Sequence, residues 1–79
     1  MKLINLALHH KAFVLRLEQV PPKRRNRLYE VGVVPGTEIQ KLFAPPFQAP
    51  CLYYFRGSVF AFDRETAGKI LVRELGDGN

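Results

Sequence analysis

Residues 11–20 hold a mainly apolar stretch between polar ends, in which Ala12 and Val14, with Arg16 next in their row, alternate against Phe13, Leu15 and Leu17. A two-residue period of this kind predicts a half-buried strand. Pro21-Pro22 ends it, because proline cannot donate to a ladder. Proline suits a first helical turn, so a helix is expected from near Pro22 to Val31, with Leu28 and Val31 on one face. Gly32 sits where a helix closes on a left-handed residue. Pro35-Gly36 fits the centre of a type II turn, with proline's fixed φ first and glycine's positive φ second. Beyond it Thr37 and Ile39 face one way and Glu38 and Gln40 the other, predicting a second strand over 37–43. Residues 44–50 hold three prolines and read as a loop. Strands follow over 51–55 and 59–62, joined by a tight Arg56-Gly57-Ser58 connection. Asp63 can cap a short helix over 64–68. Residues 69–74 alternate Ile70 and Val72 against Leu71 and Arg73, predicting a fifth strand. Residues 3–8 form a short helical turn that packs Leu3, Ile4 and Leu6 on the body, and residues 76–79 are expected to be a disordered tail.

Five short strands with two or three short helices in so few residues predict a mostly β fold, a small five-stranded antiparallel barrel. Closing the sheet would remove the edges that a flat sheet leaves open. The third and fourth strands would be its central hairpin. Residues 1–75 are expected to form one domain, since a 79-residue chain buries only about 60–65% of its unfolded surface and cannot hold a second core.

Composition narrows the function. The apolar fraction of 47% must stabilise the fold, because Cys51 is the single cysteine and no disulfide can form within the chain. Cys51 reads as a small core hydrophobe in a reducing compartment. No apolar run reaches the roughly 18–20 residues of a membrane span, and the apolar start is too short and too lightly charged for a secretory signal. The expectation is a soluble, cytoplasmic protein. Twelve Lys and Arg against seven acids give a net charge of +5, which favours encounters with acidic surfaces without choosing among them.

Several segments together carry a family resemblance. They are Arg24-Arg25 with Leu28, the run Glu30-Val31-Gly32-Val33-Val34-Pro35-Gly36-Thr37-Glu38-Ile39, then Ala44-Pro45, Pro50, Arg56-Gly57, Phe60-Ala61-Phe62-Asp63, Glu65 to Ala67 and Ile70-Leu71-Val72. In this order the chain resembles the FeoA family, small cytoplasmic companions of the bacterial ferrous-iron transporter FeoB. The resemblance implies a Src-homology-3-like barrel, also found as the C-terminal domain of iron-dependent repressors of the DtxR type. It implies a non-catalytic module that contacts the cytoplasmic GTP-binding part of FeoB and reaches the membrane only through it. The chain departs from the family pattern at Leu8-His9, where a Pro-Gly turn is common. It departs again at Phe47-Gln48-Ala49-Pro50, which replaces a shorter Gly-Asp-Pro loop. A third departure is Cys51-Leu52-Tyr53-Tyr54-Phe55, which lacks the usual charged alternation.

That last departure points to a contact surface. If Cys51, Tyr53 and Phe55 face the core, Leu52 and Tyr54 face out, near Phe43 and Phe47. Such a cluster suits a transporter contact or a second copy of the chain. The other candidate is the charge run Lys23-Arg24-Arg25-Asn26-Arg27, either a solvated helix face or a dock for an acidic protein. Nucleic-acid binding would want aromatics interleaved with the cations, and only Tyr29 is near. Adjacent His9 and His10 would point to opposite faces of a strand, and no ligand spacing joins them to Cys51, so no resident metal or cofactor is expected. An iron-transport role leaves room for transient iron or other transition-metal contact without requiring it.

Enzymatic readings lack support. There is no phosphate-cradling glycine loop and no local carboxylate pair. An arginine finger from Arg24 or Arg25 acting on a nucleotide held by the transporter is the one catalytic contribution the residues allow. The expected partner-binding residues are Arg24, Arg25, Leu28 and Tyr29 on the helix, with Leu52 and Tyr54 on the barrel. Gly32, Pro35, Gly36 and Gly57 hold turns. The alternative function is a small-barrel nucleic-acid-binding or repressor-associated domain.

Overall fold

The structure is a computed structural model, described here for residues 1–76. A 3₁₀ turn over Leu3–Asn5 leads into strand β1 (Lys11–Leu17), helix α1 (Pro22–Val31), strands β2 (Glu38–Phe43), β3 (Cys51–Phe55) and β4 (Ser58–Phe62), helix α2 (Arg64–Ala67) and strand β5 (Ile70–Glu74). The five strands form one antiparallel sheet in the order β4-β3-β2-β1-β5. The expected elements are all present. The expected disordered tail lies, from residue 77 onward, outside the described residues.

Two corrections concern topology. The β3–β4 hairpin is at one edge of the sheet, not its centre. Among the described residues no ladder joins β4 to β5, so the curled sheet is not closed by hydrogen bonds. The two edge strands are linked instead through α2. The edge of β5 is taken by the N-terminus: the Val72 amide donates to the Met1 carbonyl at 2.8 Å, the Met1 nitrogen donates to the Val72 carbonyl at 3.0 Å, and Lys2 bridges Leu71.

The inward rows are those the alternation predicted. Ala12 and Val14, Ile39, Cys51, Tyr53 and Phe55, and Ile70 and Val72 are all buried, joined by Leu3, Leu6 and Val33. Phe55 is 1% exposed and its ring stacks on Phe60 at 4.4 Å between centroids. The Tyr53 hydroxyl is buried without a hydrogen-bond partner. Burial, with the Cys51 thiol beside it, pushes its pKa well above the ordinary tyrosine value.

Strand β1 stops at Leu17, three residues short of its expected end, and a bulge at Leu15 breaks its alternation. Val14 pairs Val72 and Arg16 pairs Leu71, so one partner step spans two residues of β1. The extra residue shifts the phase. Arg16 is turned to solvent, out of the row of Ala12 and Val14, and Leu17 packs on the core. A second irregularity, between Lys41 and Phe43 in β2, leaves Phe43 opposite Leu52.

Both turn assignments hold. The Thr37 amide donates to the Val34 carbonyl at 3.0 Å across Pro35-Gly36, and Gly36 has φ +92°, as a type II turn requires. The Thr37 hydroxyl donates to the Gly32 carbonyl at 2.7 Å, tying the turn to the end of α1.

Asp63 caps α2: the Thr66 amide donates to its Oδ1 at 2.7 Å. That bond, chiefly, holds the Asp63 carboxyl below the ordinary carboxylate range, with the Arg24 charge adding a little. A carboxylate whose pKa is lower in the folded state adds stability above its unfolded value, near 4, and loses that contribution as pH falls through the folded value. Asp63→Ala should therefore cost about 0.5–2 kcal/mol at pH 7, with the gap to wild type narrowing in acid. Asp63→Asn, which keeps an accepting oxygen, should retain most of the stability with a flatter pH profile. Urea titrations of the three proteins at pH 3 and pH 7 check this.

Candidate functional site

Helix α1 carries the densest charge. Its N-cap is Pro21, which supplies no side-chain oxygen, and its first turn holds no acid. Lys23, Arg24, Arg25 and Arg27 are all exposed. Lys23, Arg24 and Arg27 line a shallow groove with Pro21. Among the described residues the ion pairs are His10–Glu74, Lys11–Glu38, Arg16–Glu18 and Lys69–Glu65. None involves a cation of α1. The first turn of a helix is its positive end, so Lys23, Arg24 and Arg25 sit where the backbone disfavours a cation by about 0.3–1 kcal/mol each. Fold stability does not account for the run.

Leu28 is the correction on this helix. It is the buried residue of α1, at 6% exposure, and packs in the core. It anchors the helix and cannot touch a partner. Val31, expected on the same face, is 39% exposed, and Tyr29 is 42% exposed beside the cations. Gly32 closes the helix with φ +108°, and its amide together with that of Val33 satisfies the last carbonyls.

The second surface is the outer side of the β2–β3–β4 sheet. Leu52 is half-buried and Tyr54 exposed, both facing out as expected. The register places Phe43, Leu52 and Ala61 in one row and Gln40, Tyr54 and Val59 in the next. Phe47, in the loop after β2, is 95% exposed. Tyr54 also lines a hollow of about 210 Å³ with Lys11, Glu38, Gln40, Phe55 and Arg56. Arg56 belongs to both surfaces: it lines this hollow, and its side chain lies directly over Gly32 at the end of α1. Arg56 and Gly57 have φ +51° and +81°, the left-handed pair of a two-residue hairpin turn.

Lys41 was not singled out by sequence reasoning. It is buried and its Nζ donates to the Ile4 carbonyl at 2.8 Å, pinning the N-terminal turn. Its place in the inward row after Ile39 was the available signal. His9 and His10 precede β1 rather than lying in a strand. The His10 Nδ1 pairs with the Glu74 carboxylate at 2.5 Å. Among the described residues no three His, Cys, Asp or Glu side chains converge as metal ligands. Among the described residues no helix is long and apolar enough to cross a membrane.

A family model described as the FeoA domain matches residues 1–74. The chain belongs to the FeoA domain family. Its fold is similar to the solution structure of the FeoA protein from Chlorobium tepidum, with a TM-score of 0.89 and 28% identity over all of this chain and 74% of that one. It is similar to Stenotrophomonas maltophilia FeoA in complex with zinc, with a TM-score of 0.79 and 28% identity over 91% of this chain and 88% of that one. That protein is described as an SH3-domain protein linked to ferrous iron transport activation. A manganese-dependent transcriptional repressor shares the fold, with a TM-score of 0.85 at 16% identity, over 95% of this chain and 36% of that one. No curated protein matches the chain. The FeoA domain is linked to ferrous iron transport as an accessory domain, and the family is not a known enzyme family. The mostly β, five-stranded antiparallel architecture expected from the residues, and the SH3-like fold that the resemblance implied, are the fold observed.

Proposed function

We propose that this FeoA domain is a non-catalytic companion of the ferrous-iron transporter FeoB, docking through α1 on the acidic face of its cytoplasmic GTP-binding part. One observation carries this: four exposed cations on a ten-residue helix, none in an ion pair among the described residues, and three of them in the first turn where they destabilise their own backbone. Arg24 and Arg25 supply the charge, and Tyr29 supplies an aromatic contact beside them, a residue type favoured in interfaces. The outer-sheet residues Leu52 and Tyr54 form a second, apolar contact. Family membership supports the iron-transport setting, and a cytoplasmic location follows from the proposed partner.

The test is a pull-down with the purified cytoplasmic domain of the cognate FeoB, repeated with the Arg24→Glu/Arg25→Glu double variant. Removing two steering cations and adding two acids should weaken binding at least about tenfold, the factor that 1.4 kcal/mol represents. The same change places acids at the positive end of α1 but takes from the Asp63 cap the Arg24 charge that favours its carboxylate, so the variant should melt near the wild-type temperature. Lost binding with retained stability isolates the contact from the fold. Wild-type binding by the variant would reject this surface. Retention on DNA that falls steeply with salt, without FeoB binding, would favour the repressor-associated reading.

A further inference from the structure

The two edges of the sheet are treated differently. The β5 edge is occupied by Met1 and Lys2 and carries Arg73 and Glu74. The β4 edge has no such cover among the described residues. Its sequence, Ser58-Val59-Phe60-Ala61-Phe62, contains no charge and no proline, and its five pairs with β3 run without a bulge. These are the devices by which sheet proteins usually blunt an edge. Val59 is 54% exposed and Ala61 is exposed.

The register shows which groups are open. The two-residue turn closes on the pair Phe55 and Ser58, and the closing pair of such a hairpin exchanges hydrogen bonds. Bonded and non-bonded pairs then alternate, so Phe60 and Phe62 bond to β3 while Val59 and Ala61 point their N–H and C=O away from it. Among the described residues no other hydrogen bond uses these four groups.

We propose that β4 pairs antiparallel with β4 of a second copy of this chain about a two-fold axis at Phe60. In that register Val59 lies opposite Ala61 of the second copy and Ala61 opposite Val59, so all four open groups on each strand are satisfied by four hydrogen bonds. The pattern is self-complementary, as an isologous contact requires. Phe60 of each copy meets the other as a cross-strand aromatic pair. Asp63 of one copy falls opposite Gly57 of the other, one residue from Arg56, so each end of the contact sets opposite charges near each other. On the outer face Val59 of each copy becomes the cross-strand neighbour of Ala61 of the other, so the two outer rows run on across both copies. A single five-residue edge is smaller than a standard interface, so the dimer is a weak one that forms and breaks reversibly. This contact does not depend on the transporter reading, since α1 takes no part in it.

Sedimentation equilibrium from about 10 µM to 1 mM tests it. The mass should rise toward twice that of one chain. Ala61→Pro removes one outward N–H and nothing from the β3 ladder, and Val59→Lys places a charge on the edge. Each should weaken association at least about tenfold while circular dichroism stays that of the wild type. Amide exchange supplies a second readout that needs no variant: Val59 and Ala61 should be protected at high concentration and exchange rapidly at low. A chain that remains monomeric at 1 mM overturns the proposal, as do variants that fold and still dimerise. Protection of Val59 and Ala61 that appears only on adding the FeoB cytoplasmic domain also overturns it, and assigns the edge to a partner strand.

Discussion

Phe55→Ala should leave a large fraction of the chain unfolded under conditions in which the wild type is fully folded. Phe55 is 1% exposed, and its ring lies 4.4 Å from that of Phe60 and 6.0 Å from that of Phe62. Truncation forfeits the transfer of a whole aromatic side chain and leaves a cavity that neighbouring rings on the same short hairpin can only partly fill. The usual loss is about 3–5 kcal/mol. A domain of this size has only about 4–12 kcal/mol in total, and no disulfide limits its unfolded state. Urea unfolding followed by far-ultraviolet circular dichroism should show the midpoint falling sharply with an unchanged slope. Phe47→Ala is the matching control. Its ring is 95% exposed, so the same chemical change should move stability by no more than about 0.5 kcal/mol. An equal loss at both positions would mean that the hairpin core is not packed as described.

That contrast between two phenylalanines shows what local pattern can and cannot reveal. Periodicity was enough to place Phe55 inward, because Cys51, Tyr53 and Phe55 share a strand face whatever their partners. It was enough for Gly32, Pro35, Gly36 and Asp63, where one residue type answers one backbone need. It failed where pairing between distant segments decides. The bulge at Leu15 turns Arg16 out because β1 carries one residue more than β5 there, and nothing near Arg16 in sequence encodes that extra residue. The position of the hairpin at the edge depends on which strand β1 pairs with. Leu28 was grouped with the cations because it lies among them along the chain, yet the side of α1 that meets the sheet is a tertiary fact. The candidate surface was therefore legible as a charge run and an apolar strand, while the burial of Leu28 and the place of Arg56 required the packed structure.

The link between the two surfaces, Arg56, was also beyond local reading, and it makes Gly32→Ala the second large effect. Gly32 has φ +108°, a conformation that costs a residue with a side chain about 1–3 kcal/mol. Space is closed as well: a β-carbon there would sit 2.1 Å from Cδ of Arg56 and 2.8 Å from its Nε. The Arg56 side chain must leave, giving up the contact of its stem with the helix end and the proximity of its charge to the last carbonyls of α1, which a cation favours. Together the two penalties should bring the loss to about 3 kcal/mol. Gly36→Ala separates them, since Gly36 also has positive φ, at +92°, but nothing stands within 4 Å of its added carbon. That variant should show the backbone cost alone. Adding Arg56→Ala to Gly32→Ala should remove the collision, so the double variant should be less impaired than the sum of its singles. Additive losses would place the whole cost in the backbone and free Arg56 from any role at the helix end. A favourable coupling would show that the hairpin turn and the end of the basic helix are held to each other through this one side chain.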